Sequence, residues 1–324
     1  MTIRFGACLW NQYAEWPVLV DAARRADSLG YASVWVWDHL YPVVGDIRGP
    51  MLEGWMTIAA IANATTNASV GLMVGCNTFR SPALVAKMVT TLDHISGGRA
   101  ILGIGAGWSE EEHEAFGFDF GSGAGERLRW LAEALPLIRA MLDGEEPTTP
   151  GPRYRVNAVR NLPRPIQERL PILVGGVGEK VTLRLVAQYA DICNQTGSVE
   201  DVIRREPILQ EHCRAVGRDH REVERTACPP IVVIRDSRAD ARAVYEETIS
   251  GQGAGGRRPL SEPASRSDSP APQPVGTVDD VVAMLRKYVA VGYRHLIFSM
   301  PSPYDEETMT RLMHEVLPQL ERET

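Results

Sequence analysis

SVGLMVGCNTFRSPALVAKMVTTLDHISGGRAILGIG, residues 69–105, contains one complete strand–helix–strand unit. Ser69 to Val74 is a short apolar run of strand length, and Ala100 to Ile104 is another. Between them Pro82 to Ile95 carries helical spacing, with proline in its first turn and Ser96-Gly97-Gly98 behind it. The same alternation extends in both directions. Upstream, Ile3 to Leu9 predicts a strand, Trp16 to Ser28 a helix closed by Gly30, and Ser33 to Asp38 a second strand. Downstream, Glu126 to Leu142 predicts a long helix and Pro171 to Val174 a strand. Glu179 to Tyr189 follows as helix, Ala190 to Cys193 as strand and Val199 to Val216 as helix. Ile231 to Ile234 predicts a strand, Arg238 to Ile249 a helix, Val278 to Val291 a helix, His295 to Ser299 a strand and Asp305 to Leu320 the last helix.

About eight strands separated by amphipathic helices call for a parallel sheet covered by helices, an α/β protein. A closed (β/α)₈ barrel (TIM barrel) and an open doubly wound sheet both fit the alternation. The strand number and the lack of a compositional break favour the barrel, as one domain over residues 1–324. Two stretches break the rhythm. Gly144 to Arg164 is proline-rich and predicts a small inserted hairpin. Gly251 to Gly276, rich in Gly, Ser, Pro and Arg, reads as a mobile excursion or as a lid at the strand C-terminal side.

Composition narrows the function. A net charge of −7 with no long basic run argues against a nucleic-acid partner. No apolar stretch nears the roughly 18 residues of a membrane span. The five cysteines are scattered and never spaced CxxC, which gives neither a disulfide framework nor a zinc site and fits a cytoplasmic protein. The expected partner is a small molecule.

Barrel chemistry sits at strand C-termini. Trp37-Asp38-His39-Leu40 follows the second strand, and His39 beside a carboxylate reads either as a general acid or base or as a loop cap. Val74-Gly75-Cys76-Asn77-Thr78 follows the third and reads as a close approach for a flat ring or as a plain turn. Gly103-Ile-Gly105-Ala-Gly107-Trp108 follows the fourth but misses the GxGxxG fingerprint. Ser109 and Glu112 form an S-x-x-E pair, so Glu112 has a capping role open to it. The run Glu110 to Glu114 reads as a charged, solvated helix start rather than a metal site. Gly175-Gly176-Val177-Gly178 opens into a helix, a pattern that suits an anion such as a phosphate. Asn194 closes the sixth strand.

Taken in order, these segments carry a resemblance. Ser33 to Leu40, Gly71 to Pro82, Thr91 to Arg99, Leu102 to Trp108 with Glu112, and Pro171 to Arg184 with Tyr189-Ala-Asp191 and Asn194 are similar to the bacterial-luciferase-like oxidoreductases. The similarity is strongest to their branch dependent on coenzyme F420, a deazaflavin. The resemblance implies a TIM barrel, hydride transfer to or from a small organic substrate, and F420 as cofactor. FMN, in an oxygen-using monooxygenase, is the alternative, and a non-catalytic cofactor-binding barrel is a second.

By implication Asp38 and His39 lie against the ring, with His39 the catalytic candidate. Met73 and Val74 carry a non-prolyl cis peptide, and Cys76, Gly107, Glu112 and Asn194 surround the cofactor. Gly175, Gly176, Val177, Gly178 and Thr182 hold its phosphate, and no metal is expected. Relatives of this kind are often dimers. The chain departs from the pattern at Trp108, where some relatives place an acid, and at Cys76, where glycine or threonine is common. Its three lysines (Lys87, Lys180, Lys287) provide no evident basic pair for a sugar phosphate. Trp10, Trp37, Trp55 and Trp108 are read as mouth residues suited to an apolar or planar substrate.

Overall fold

The computed structural model describes residues 2–253 and 274–322 of the 324. Eight parallel strands form a closed ring: β1 (Arg4–Leu9), β2 (Ser33–Val36), β3 (Ser69–Leu72), β5 (Ala100–Gly105), β6 (Ile172–Gly175), β7 (Ile192–Gln195), β8 (Glu224–Ala227) and β11 (His295–Met300). Pairing of β1 with β11 and of β3 with β5 completes the circuit, so the protein is a (β/α)₈ barrel. A two-residue strand, β4 (Gly75–Cys76), continues the line of β3 and also pairs with β5. The β3–β5 register pairs Val70 with Ala100, whereas the β4–β5 register pairs Gly75 with Ile104. The third strand therefore holds one extra residue, a bulge. The Met73–Val74 peptide inside that bulge is cis. Gly103 lets the bulge close, because a Cβ there would lie 1.9 Å from the Leu72 carbonyl oxygen.

Strand periodicity divides the interior. On β1, Phe5, Ala7 and Leu9 point outward to the helices and Cys8 points inward; on β2, Val34 and Val36 point outward and Trp35 inward. The helical layer is cut where the sequence predicts. Helix α1 (Trp16–Leu29) ends at Gly30 in the left-handed conformation, with φ of 88°. Helix α3 (Pro82–Ser96) starts from Ser81, whose hydroxyl accepts the Leu84 N–H, and ends at Gly97. Helices α5 (Ala124–Leu142), α6 (Thr182–Tyr189), α7 (Val199–Ala215) and α9 (Val278–Ala290) complete the coat with α2 (Gly54–Ala64).

Several points of the sequence reading need correction. The apolar run Ile231 to Ile234 is not a barrel strand: Val233–Ile234 (β9) pairs with Val275–Gly276 (β10) in a separate two-stranded sheet, on either side of α8 (Arg238–Ser250) in the chain. The barrel position belongs to the polar β8, which hydropathy hides because Glu224 and Arg225 are stabilised by partners. Glu224 pairs with His295 and Arg4, and Arg225 with Glu206. Helix α2 is the second correction; no sequence signal marked it. Its N-cap is Glu53, which accepts the Met56 N–H, and glutamate is not among the usual N-cap residues. Third, Trp55, in the first turn of α2, packs into the core and does not reach the mouth. The hairpin expected over 144–164 is reduced to one antiparallel bridge, Thr149 with Val156. Within 251–276, residues 254–273 lie outside the described residues, so the lid reading falls there.

Candidate functional site

A cavity of about 670 Å³ opens at the C-terminal end of the barrel, a size ordinary for a small-molecule site. Every barrel strand or the loop behind it contributes to the wall: Trp10, Trp37 to His39, Met73 to Cys76, Gly105 to Ser109, Gly175 to Val177, Asn194 to Gly197 in part, Cys228 to Ile231 and Ser299. Of the thirteen residues singled out from sequence, twelve line it. The exception is Gly178, which shapes the turn beside Thr182 without reaching the wall.

Glu112 organises one side. It lies on α4 (Glu110–Phe116), whose N-cap Ser109 makes no side-chain capping bond, so the capping role open to Glu112 is not taken. Its carboxylate crosses to the loop after β2 instead. There Oε2 meets His39 Nδ1 at 2.8 Å, and Oε1 accepts the N–H groups of Leu40 and of Tyr41, the latter at 3.1 Å. Burial pushes the Glu112 carboxyl up, but His39 and the two N–H donors outweigh it and leave it below the usual carboxylate range. An ionised Glu112 fixes the His39 tautomer with Nδ1–H as donor. Among the described residues Nε2 then has no hydrogen-bond partner. The helix start expected to be a solvated run is divided in two: Glu110, Glu111 and Glu114 are exposed, while Glu112 and His113 are buried in the wall.

His113 is the end of a short polar chain that the sequence did not announce. Its Nδ1 donates to the Ser109 carbonyl, so Nε2 accepts from the Thr78 hydroxyl at 2.6 Å. The Cys76 sulfur lies 3.0 Å from that hydroxyl. Burial pushes the Cys76 thiol up to about 11, which makes it a neutral wall group. The chain orients the loop after β4 through side chains.

Asp38 is the second buried acid. Its Oδ2 accepts the Cys76 N–H and an Arg80 guanidinium N–H, each at 2.8 Å, while Oδ1 is buried with no partner among the described residues. Burial pushes this carboxyl above its ordinary value, although Arg80 and the Cys76 N–H oppose the shift. Arg80 is held in turn by Glu53 at 2.8 Å. Arg80 stands inside a segment quoted from sequence without a role; a lone arginine four residues after a cysteine gives no signal of what it will pair with.

Three strands around the ring from β2, β6 delivers the glycine turn to the start of α6. Gly176 has φ of 139°, and a Cβ on Gly178 would lie 2.7 Å from Thr182 Oγ1. The backbone is therefore held close to Thr182 at a helix N-terminus, where N–H groups and the helix dipole favour an anion. Asn194 bonds Thr226 Oγ1 at 2.8 Å and keeps Cys228 near at 3.4 Å. Pro229, Pro230 and Ile231 form wall that sequence reading missed, because their strand was misplaced.

Comparison with known proteins agrees with this architecture. The model of the luciferase-like monooxygenase family matches residues 3–295. An F420-dependent glucose-6-phosphate dehydrogenase of Amycolatopsis mediterranei is 27% identical over 329 residues, covering 93% of this chain and 94% of the relative. An F420-dependent hydroxymycolic acid dehydrogenase of Mycobacterium tuberculosis is 30% identical over 240 residues, covering 74% and 65%. Among solved structures, an F420-dependent secondary alcohol dehydrogenase in complex with an F420-acetone adduct superposes with a TM-score of 0.82 at 19% identity, covering 99% of each chain. With the family model spanning nearly the whole barrel, the chain belongs to the luciferase-like monooxygenase family.

Proposed function

We propose that this protein is an oxidoreductase that uses the deazaflavin coenzyme F420 to transfer hydride to or from a small organic substrate. The observation that carries the reading is the Glu112-anchored His39 in the wall of a cavity that also holds a glycine turn at a helix start. Relatives named for F420 use, at 27% and 30% identity, support the same cofactor.

The residues present fit the group. A buried Asp38 Oδ1 with no partner among the described residues suits a polar edge, the β3–β4 bulge offers an apolar face through Met73 and Val74, and Gly175 to Gly178 with Thr182 suit a phosphate. Gly107, Cys76 and Asn194 complete the enclosure. When bound, F420 supplies hydride exchange at its ring; the protein supplies position, dryness and a proton. His39 Nε2 receives the proton of the substrate oxygen, and Glu112, by accepting from Nδ1–H, keeps the imidazole in the tautomer and orientation that do so. Buried Trp37, Leu131 and Ile231 exclude water from the wall.

The test follows the cofactor's absorbance in F420-loaded protein offered a panel of alcohols. His39→Ala is expected to bind F420 as the wild type does and to turn over roughly 10²–10⁴ times more slowly. Equal rates would remove His39 from proton transfer.

A further inference from the structure

The cavity wall contains no lysine or arginine among the described residues. Two arginines that bond residues of its wall, Arg80 and Arg127, are occupied. Arg80 is held by Asp38 and Glu53, and Arg127 donates to the Gly107 and Phe120 carbonyls while lying 3.7 Å over the Phe120 ring. The formal charges that do line the cavity, Asp38 and Glu112, are acidic. A phosphorylated substrate beside His39 would meet two carboxylates and no cation, and like charges in a desolvated site repel.

What the wall offers instead is aromatic surface and neutral donors, the Trp10 indole among them. Trp10 and Trp37 lie with ring centroids 4.5 Å apart. Trp10 is 3% exposed, and its indole N–H is buried with no partner among the described residues, a cost that a ligand oxygen would relieve. Trp108 lies edge-on to His39 with centroids 5.2 Å apart, yet it is 50% exposed. Phe116, 48% exposed, packs against Tyr41, whose backbone N–H Glu112 accepts. A half-exposed Trp108 in the wall of an apolar cavity marks a ligand groove that extends onto the rim, towards Phe116 on the same helix–loop face.

We infer that the substrate bound beside His39 is a neutral, mainly apolar molecule with one oxygen acceptor, whose apolar tail lies on Trp108 and Phe116. Phosphorylated substrates are excluded. This specificity rests on the oxidoreductase reading above, and it is tested by binding so that the two can fail separately.

The experiment titrates 2-octanone and glucose 6-phosphate into the full-length protein, with and without F420, following tryptophan fluorescence and the melting temperature. F420 affinity is measured on the same samples. The expected result is saturable 2-octanone binding in both states and, with F420 occupying the glycine turn, no glucose 6-phosphate binding at millimolar concentration. Trp108→Ala, at a half-exposed position where folding is tolerant, is expected to weaken 2-octanone about tenfold. Phe116→Ala is expected to weaken it less, and neither should alter F420 affinity. Glucose 6-phosphate binding with no response to 2-octanone, or unchanged 2-octanone affinity in both variants, would overturn the inference. Absence of F420 binding would count against the cofactor reading alone, since the two probes are compared without F420 as well.

Discussion

At the residue scale, His39 and Glu112 are separated by 73 positions in the chain and joined by a 2.8 Å contact. His39, which the structure places in the cavity wall, was singled out by the family likeness, since the Asp38-His39 pair alone reads equally well as a loop cap. Its partner was misassigned by the obvious neighbour, Asp38, which instead turns to Arg80 and the Cys76 N–H. Glu112 was visible as a capping candidate from spacing and as a cofactor neighbour from the resemblance, but not as the partner of His39, since sequence spacing reports local bonds and this bond is long-range. Glu112→Gln keeps the shape but replaces the carboxylate that holds His39 Nδ1 with a neutral amide. Turnover is expected to fall, less than for His39→Ala, with F420 affinity unchanged; steady-state kinetics beside a cofactor titration checks this. A drop in F420 affinity without a drop in turnover would assign Glu112 to cofactor binding instead.

At the element scale, the turn between β6 and α6 is the part most nearly dictated by its own residues. Three glycines before a helix start leave the backbone able to approach a ligand, and Gly176 uses that freedom at φ of 139°. Gly178→Val would drive side-chain atoms into Thr182, so F420 affinity is expected to fall at least about tenfold while far-UV circular dichroism stays unchanged. Unchanged affinity would mean that the turn only connects strand to helix. Other elements were hidden for physical reasons. The polar face of β8 is stabilised by ion pairs that no hydropathy window records, while the more apolar β9 segment forms a minor sheet outside the barrel. Helix α2 is apolar around much of its surface and capped by a glutamate, so neither periodicity nor a cap revealed it.

At the scale of the whole molecule, the end of the barrel opposite the cavity is closed by polar groups. His295 Nδ1 lies 2.9 Å from Glu224 Oε1, His295 Nε2 lies 2.8 Å from Ser33 Oγ, and Ser33 accepts the Trp35 indole N–H at 2.7 Å. Burial holds His295 below its ordinary value despite the adjacent Glu224. Burial raises Glu224, but His295 and Arg4 outweigh it and hold the carboxyl low. Below about pH 6.5 the unfolded chain gains a proton at His295 that the folded barrel resists, so stability declines as pH falls. Glu224 adds stability that is present above its unfolded value and is lost as pH falls through its lower folded value. Both act in the same direction, and the melting temperature is expected to drop from pH 7 towards pH 4. His295→Gln should flatten the upper part of that slope; an equally steep slope would place the pH dependence elsewhere. Closure of the barrel was read from strand count and family likeness, whereas this plug depends on residues 33, 224 and 295, which only the closed ring brings together.

The central claim is the deazaflavin, and it is tested most directly by titrating the purified full-length protein with oxidised F420 and, separately, with FMN. Quenching of protein tryptophan fluorescence and the change in each cofactor's own emission report binding. Saturable F420 binding at least about tenfold tighter than FMN is the predicted result. Preference for FMN would contradict it and move the protein to the oxygen-using side of its family, and binding of neither would leave the glycine turn and the buried Asp38 oxygen without their proposed occupant.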